Sequence, residues 1–452
     1  MITRVSRHVV AIALVAFLFA APAFSEESVE SKRRDVLKYG LEGDIVALIG
    51  ELQGEKDTGY SAELLDVFGK TKSVAIKKGV LALFAEQKNG QLKDFSLDLL
   101  ADPFDYPKDL ARQTLSYVSE LNLREAAPLV RKIIEDESAD YRDAAIQTLG
   151  KIGTPDDAVF LVGYLDSEIP GDEKQRLIVR QNVMAALGDM KASEIRDRLI
   201  EIMKDPDENA VIRGSAATAL GKIGDPQDAR AVSDLLPETD PVIRTAAITA
   251  LGGLTAPEAT AAILEGFKDA YYKVRIEAIG AAERRQLSEA VPFVLYRAKT
   301  DPVPAVRVRA FEALAKFDDA DSRSWLLSVI ADDKRPDAER AKACDVLFNS
   351  SLAFDFSVIE KAVLAAVKDD KKIKLRYEFG KALSRAKDPR PETIANAFIS
   401  SKDTLTKSIG LDFYEKNRYW SMSEAVKAIA ADEKQGALQK RAKKILDSGE
   451  VK

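Results

Sequence analysis

Val211-Ile212-Arg213-Gly214-Ser215-Ala216-Ala217-Thr218-Ala219-Leu220-Gly221-Lys222-Ile223-Gly224-Asp225-Pro226 decides the fold of this chain. Ile212, Ala216, Ala219 and Leu220 lie three or four residues apart, so they share one face of a helix. Gly224 can take a left-handed C-cap, and Pro226 presets the start of the next helix. Ala229, Val232, Leu235 and Leu236 then repeat the helical spacing from Asp228 to Leu236, before Pro237 and Asp240-Pro241 break it. The stretch therefore reads as a helix, a turn and a second helix. The next segment, from Ile243, starts the pattern again as IRTAAITALG.

The same register recurs upstream and downstream. Arg142, Arg180, Arg213, Arg244, Arg275, Arg307, Arg340 and Arg376 follow one another at spacings of 38, 33, 31, 31, 32, 33 and 36 residues. Each stands second in a ten-residue segment with small or apolar residues at its fifth, eighth and ninth positions. Turn signals recur at Gly153-Thr154-Pro155-Asp156, Thr255-Ala256-Pro257-Glu258 and Lys387-Asp388-Pro389. Weaker copies extend upstream through Lys108–Ser116, Ser73–Ala82 and Lys32–Leu41, and downstream through Leu405–Tyr414 and Leu438–Asp447. No alternating run of β-branched residues between hairpin turns is present. The expectation is an all-α chain of helix pairs, each pair touching only its neighbours.

The repeated segments resemble the HEAT repeat, in its phycobilisome-lyase-type HEAT-like variety, most strongly over residues 139–285. The resemblance implies an α-α superhelix, a HEAT-like helical solenoid, with the Arg-bearing helices lining its concave side. Two units depart from the pattern. The fifth ends in Ala282-Glu283 instead of Leu-Gly, and the eighth has Phe379 where others have Ala; altered packing is expected at both. Four regions are expected: residues 1–25 as a signal peptide, 26–138 as degenerate N-terminal repeats, 139–385 as the array, and 386–452 as degenerate repeats ending in a polar cap.

The signal reading rests on Arg4 and Arg7, the apolar run Val9–Ala20, and the small residues of Ala21-Pro22-Ala23-Phe24-Ser25. Cleavage before Phe24 or Glu26 would release a periplasmic protein. Retention would leave an inner-membrane anchor facing the periplasm. The run is shorter than the ~20 residues that span a bilayer comfortably.

Composition excludes several chemistries. Of 452 residues, one is His, at His8 inside the signal, and one is Cys, Cys344. A mature chain without histidine cannot run Ser-His-Asp or Cys-His catalysis or build a His-ligated metal site. It also cannot form the His-Glu iron site that deoxyhypusine hydroxylase builds on a similar scaffold. No Gly-rich phosphate loop occurs. No catalytic residue, cofactor or metal is expected, and Cys344 reads as a buried, inert thiol. Lys and Arg number 67 against 73 Asp and Glu, which argues against a nucleic-acid binder. Carboxylates alone leave room for an enzyme of the glycosidase sort, or for a lyase on this scaffold. The preferred expectation is a scaffold that binds a protein partner in envelope assembly.

Three features could carry that function. The Arg column could bind a polyanion, or could form a structural ladder pairing with the acids of the turns, Asp140, Asp207, Asp240, Asp269, Asp301, Asp337 and Asp370. The aromatic stretches Phe348, Phe354, Phe356 and Phe413, Tyr414, Tyr419, Trp420 could bind a peptide or cap the array. Finally, Gly214, Ser215, Thr218, Thr245, Ala246 and Thr249 form an uncharged strip in a chain that is 31% charged. Either the units crowd there and exclude larger side chains, or a partner helix or extended peptide lies against the strip. Gln181, Asn182, Glu277 and Arg309 would rim it.

Overall fold

In the computed structural model, residues 29–136 and 140–448 are described. The signal reading for residues 1–25 therefore lies outside the described residues. Those described form twenty-six α-helices joined by short 3-10 turns, with no strand among them. The chain divides into two compact units, residues 1–129 and 130–452.

The first unit stacks helices in two layers. Glu42–Glu55, Val74–Glu86 and Lys108–Glu120 pack on one another, and Val29–Tyr39 and Ser61–Lys70 form part of the other layer. Ile49, Leu52, Val80, Leu81 and Phe84 fill the space between layers. Tyr117 is fully buried and its hydroxyl donates to the Asn89 carbonyl at 2.7 Å, joining Lys108–Glu120 to the turn before the 3-10 segment Gly90–Leu92.

The second unit repeats this plan. Its inner layer is the series of Arg-bearing helices and their continuations: Arg142–Ile152, Glu173–Met190, Ala210–Ile223, Pro241–Leu251, Tyr272–Arg284, Pro304–Leu314, Asp337–Phe348, Ile373–Ser384, Thr404–Asn417 and Ala437–Asp447. Each packs on the next. The other layer is built from the intervening helices, such as Pro155–Leu165 and Arg196–Lys204. One of these, Ala229–Ser233, is shorter than the spacing predicts. Pro237 lacks the N–H that would bond the Ser233 carbonyl, so the helix stops a turn early while Leu235 still packs inward.

The Gly-capped turn forms as read: Gly224 has φ 83° at the C-cap of Ala210–Ile223. First, fifth, eighth and ninth positions are buried, as with Ile212, Ala216, Ala219 and Leu220. The sixth position is buried too, in Ile146, Ala217, Ile248, Ile279 and Cys344. The eighth-position alanines Ala186, Ala219 and Ala250 face the tenth-position glycine of the preceding unit.

The tenth-position glycines set the spacing of the inner layer. A Cβ added to Gly221 would lie 2.5 Å from Ala250 Cα, and one added to Gly150 would lie 2.8 Å from Ala186 Cα. Backbone meets backbone there, closer than any side chain allows. At the fifth unit the device changes. Glu283 stands in place of glycine and reaches Arg309 at 2.6 Å and Lys316 at 2.7 Å in the following unit. At the eighth unit, buried Phe379 is followed by Gly380, where a Cβ would fall 2.3 Å from the ring of Phe398. The large fifth residue is thus offset by a missing sixth side chain.

Candidate partner-binding face of the inner layer

The eight arginines project into the turns between units. Arg275 donates from Nε and Nη2 to the two oxygens of Asp301, both at 2.8 Å, and from Nη1 to the carbonyls of Asp269 and Ala270. Arg244 does the same with Asp269 and the carbonyls of Glu238 and Thr239. Arg180 holds Glu208 and Arg213 holds Glu238, while Arg307 stands 3.4 Å from Glu339. Arg142, Arg340 and Arg376 donate to the carbonyls of Asp136, Ile330 and Val367.

The geometry differs from the expected pairing in one respect. The carboxylate comes from the turn of the next unit, about 25 residues on, and only the carbonyls come from the arginine's own turn. Asp240, four residues before Arg244, instead accepts the Val242 N–H at 2.7 Å as a helix cap. The Arg244 and Arg275 forks therefore span two units, since a planar guanidinium reaches two carboxylate oxygens and two carbonyls at once. Burial alone would raise the Asp269 and Asp301 carboxyls. The arginine hydrogen bonds, the backbone N–H groups of Tyr271 and Val303 and the attraction of nearby arginines together outweigh it and hold both below the ordinary range.

The uncharged strip lies between these turns and the glycine contacts. Gly214 is not on the open surface as expected. It is buried against the next inner helix, where an added Cβ would meet Ala246 Cβ at 2.9 Å. Ser215, Thr218, Thr245, Ala246 and Thr249 are half-buried. Their four hydroxyls donate back into their own helices, to the carbonyls of Val211, Gly214, Pro241 and Thr245 at 2.6–3.0 Å. Thr249 also reaches Glu277 at 3.3 Å. What the strip presents outward is chiefly methyl and methylene. A depression of about 250 Å³ opens over it, with Met184, Ala185, Val211, Val242 and Ala246 among its walls.

Of the expected rim, Gln181 lines this depression. Asn182 is turned to Asp143, and Arg309 is engaged with Glu283. Sequence reasoning missed the aliphatic row beside the strip. Ile178 and Val242 are 41% and 47% exposed, and Val211 is half-buried. The signal was the doubled aliphatics, Ile178-Val179, Val211-Ile212 and Val242-Ile243, of which only the second residue is needed for the core.

The same positions elsewhere carry charge. Lys342 reaches Glu312 at 2.7 Å and Arg385 reaches Asp345 at 3.1 Å, each across a unit boundary. The inner layer thus changes from small and apolar to charge-stitched past Glu283.

The aromatic stretches are largely packed. Phe413, Tyr414 and Tyr419 are buried, and Phe398 meets Phe413 edge-on. Phe348, Phe354 and Phe356 surround the Arg390 guanidinium at 4.9–5.5 Å. Trp420 is 88% exposed. Cys344 is fully buried, which pushes its thiol pKa far up. Among the described residues, no group of three or more His, Cys, Asp or Glu side chains is placed to hold a metal ion, and no helix is long and apolar enough to cross a membrane.

No curated protein matches the sequence. Similar solved structures include Kap121p, 13% identical with a TM-score of 0.43 over 94% of this chain, of whose length this chain spans about half, 54%. A homology model of the AP-3 complex is 12% identical with a TM-score of 0.40, covering 90% of this chain and 94% of that one. Human deoxyhypusine hydroxylase is 15% identical with a TM-score of 0.27, covering 63% of this chain and 94% of that one. A family model described as spirochaete HEAT repeat protein matches residues 37–445, and the chain belongs to that family.

Proposed function

We propose that this chain is an exported, non-catalytic scaffold that holds a polypeptide partner along the inner layer of its second unit, in the service of envelope assembly. A HEAT-repeat scaffold suits protein binding because stacked pairs offer an extended surface instead of an enclosed pocket. The observation that carries the reading is the strip itself. Its hydroxyls are satisfied internally, its floor is apolar, and exposed aliphatics stand beside it, although later units show that the same positions accept long charged side chains. The carboxylate-enzyme alternative is disfavoured by the buried carboxylates. Asp157, Asp228 and Asp301 each pair with an arginine, and an acid catalyst needs a carboxyl held above its ordinary range.

Export is proposed from Arg4, Arg7 and the apolar run that follows them. Mature protein should begin at Phe24 or Glu26, and recovery of intact Met1 from cells would refute cleavage. The binding reading is tested by a photo-reactive residue at Thr218 in cells, with Glu265 on the opposite layer as control. A defined protein cross-linked from position 218 and not from 265 supports the reading. Equal or absent cross-linking at 218 refutes it.

A further inference from the structure

We propose that the trough over the strip receives an amphipathic α-helix of the partner, aliphatic on its buried face and basic along one flank. This rests on the protein-binding reading above and specifies the occupant. Ile178, Val211 and Val242 stand at one register, each immediately before a buried core residue, on three successive inner helices. The register passes to Lys273 and Ala305 in the next two units, so the row has an end. Depressions adjoin it on both sides: one of about 270 Å³ beside Ile178, the other of about 250 Å³ between Val211 and Val242.

Hydrogen bonding selects between a helix and an extended chain. An extended segment carries its backbone N–H and C=O groups unpaired and needs partners for them when buried. The strip's side chains offer no hydroxyl donor to peptide carbonyls, because the hydroxyls of Ser215, Thr218, Thr245 and Thr249 already donate inward. A helix brings its backbone already bonded. The spacing agrees. Packed helices lie about 8–10 Å apart, and a helix returns to one face every seventh residue, about 10.5 Å along its axis. Aliphatic residues at such intervals would meet the three members of the row in turn.

Charge sets the flank. At the edge where the inner helices begin, Asp172, Glu173, Asp205, Asp207 and Asp240 are exposed or half-exposed and make no ion pair within 4.0 Å among the described residues. Lys174, Arg176 and Lys204 offset part of this and leave the edge net acidic. At the opposite edge, Lys151 and Lys222 both face Asp189, at 3.6 and 2.8 Å. A basic flank would therefore lie toward Asp207 and Asp240.

Three labelled 22-residue peptides test this by fluorescence anisotropy on the purified mature chain. One has a leucine stripe flanked by lysines, the second has glutamates in place of the lysines, and the third is the lysine peptide with two prolines that forbid the helix. The lysine-flanked helix should bind at least tenfold tighter than the other two. Ile178→Glu with Val242→Glu should weaken it at least tenfold, with helical circular dichroism and Tm unchanged, since both side chains are exposed. Equal binding of the proline peptide, preference for the glutamate peptide, indifference to the double variant or no binding by any peptide overturns the proposal. Self-association abolished by the double variant would do the same, by naming a second copy as the occupant. If Thr218 cross-links a protein but no helix preference appears, this proposal fails and the protein-binding reading stands.

Discussion

Replacing Arg275 by Met tests whether the arginine forks hold units together. The Arg275 and Asp301 side chains are 7% and 0% exposed. The substitution removes two charge-assisted hydrogen bonds to Asp301 and two bonds to the carbonyls of Asp269 and Ala270. Asp301 is then left buried with the Val303 N–H at 3.0 Å and Arg297 at 3.5 Å. Breaking a buried pair on one side costs about 3–5 kcal/mol where the remaining charge is uncompensated, and Arg297 places this change near the lower end. Asp301→Asn keeps the cap on Val303 and removes the charge. The double variant Arg275→Met with Asp301→Asn should therefore recover at least about 1.5 kcal/mol relative to the sum of the single changes. Arg307→Met is the control. Arg307 is more exposed and its nearest carboxylate is 3.4 Å away, so it should cost only about 1–2 kcal/mol. Urea unfolding followed by circular dichroism gives the energies. Hydrogen exchange should show protection lost first in Tyr272–Arg284 and Pro304–Leu314. If Arg275→Met costs no more than Arg307→Met, or the double variant recovers nothing, the forks do not couple the units.

Glycines in different surroundings should respond with opposite signs. Gly221→Ala should destabilise by about 1–3 kcal/mol through the clash with Ala250, while Gly50→Ala, with nothing within 4 Å, should gain about 0.5–1 kcal/mol in thermal or urea unfolding. Asp157, Asp269 and Asp301 titrate below their ordinary range in the folded chain, because burial, the largest single influence, is outweighed by the combined hydrogen bonds and attraction of their arginines and neighbouring N–H and hydroxyl donors. Their stabilisation is present above the unfolded value of about 3.9 and is lost as pH falls through the lower folded values. Unfolding midpoints should therefore drop below about pH 4, and Arg275→Met should flatten that slope. Cys344 should resist thiol reagents in the native state and react on unfolding, and rapid native labelling would contradict its burial.

The array was legible because its signal is local. Core residues recur every three or four positions, and a Gly-Asp-Pro turn carries its own backbone chemistry. The partners of the arginines were less legible, because the acid nearest in sequence is not nearest in space. Asp240 is occupied by its own helix terminus, while Asp269 arrives from the next turn. Gly214 looked exposed because helical phase alone places the third position outward. How closely the following helix approaches depends on the glycines and alanines of two units together. The doubled aliphatics were passed over for the same reason: Val211 and Ile212 are equally apolar, and only the packed array shows that Val211 stays partly outside.

Successive inner helices before Glu283 approach backbone to backbone at Gly150, Gly188 and Gly221, whereas some boundaries after it carry ion pairs between long side chains, such as Lys342–Glu312 and Arg385–Asp345. A backbone contact has no adjustable length and no response to dissolved ions. An ion pair between flexible side chains can lengthen, hydrate and weaken as salt screens it over a Debye length of about 8 Å at physiological ionic strength. The second unit therefore joins its repeats by two kinds of contact, and of these only the ion pairs respond to the medium. A guest lying over Ile178, Val211 and Val242 would be gauged against a fixed ruler.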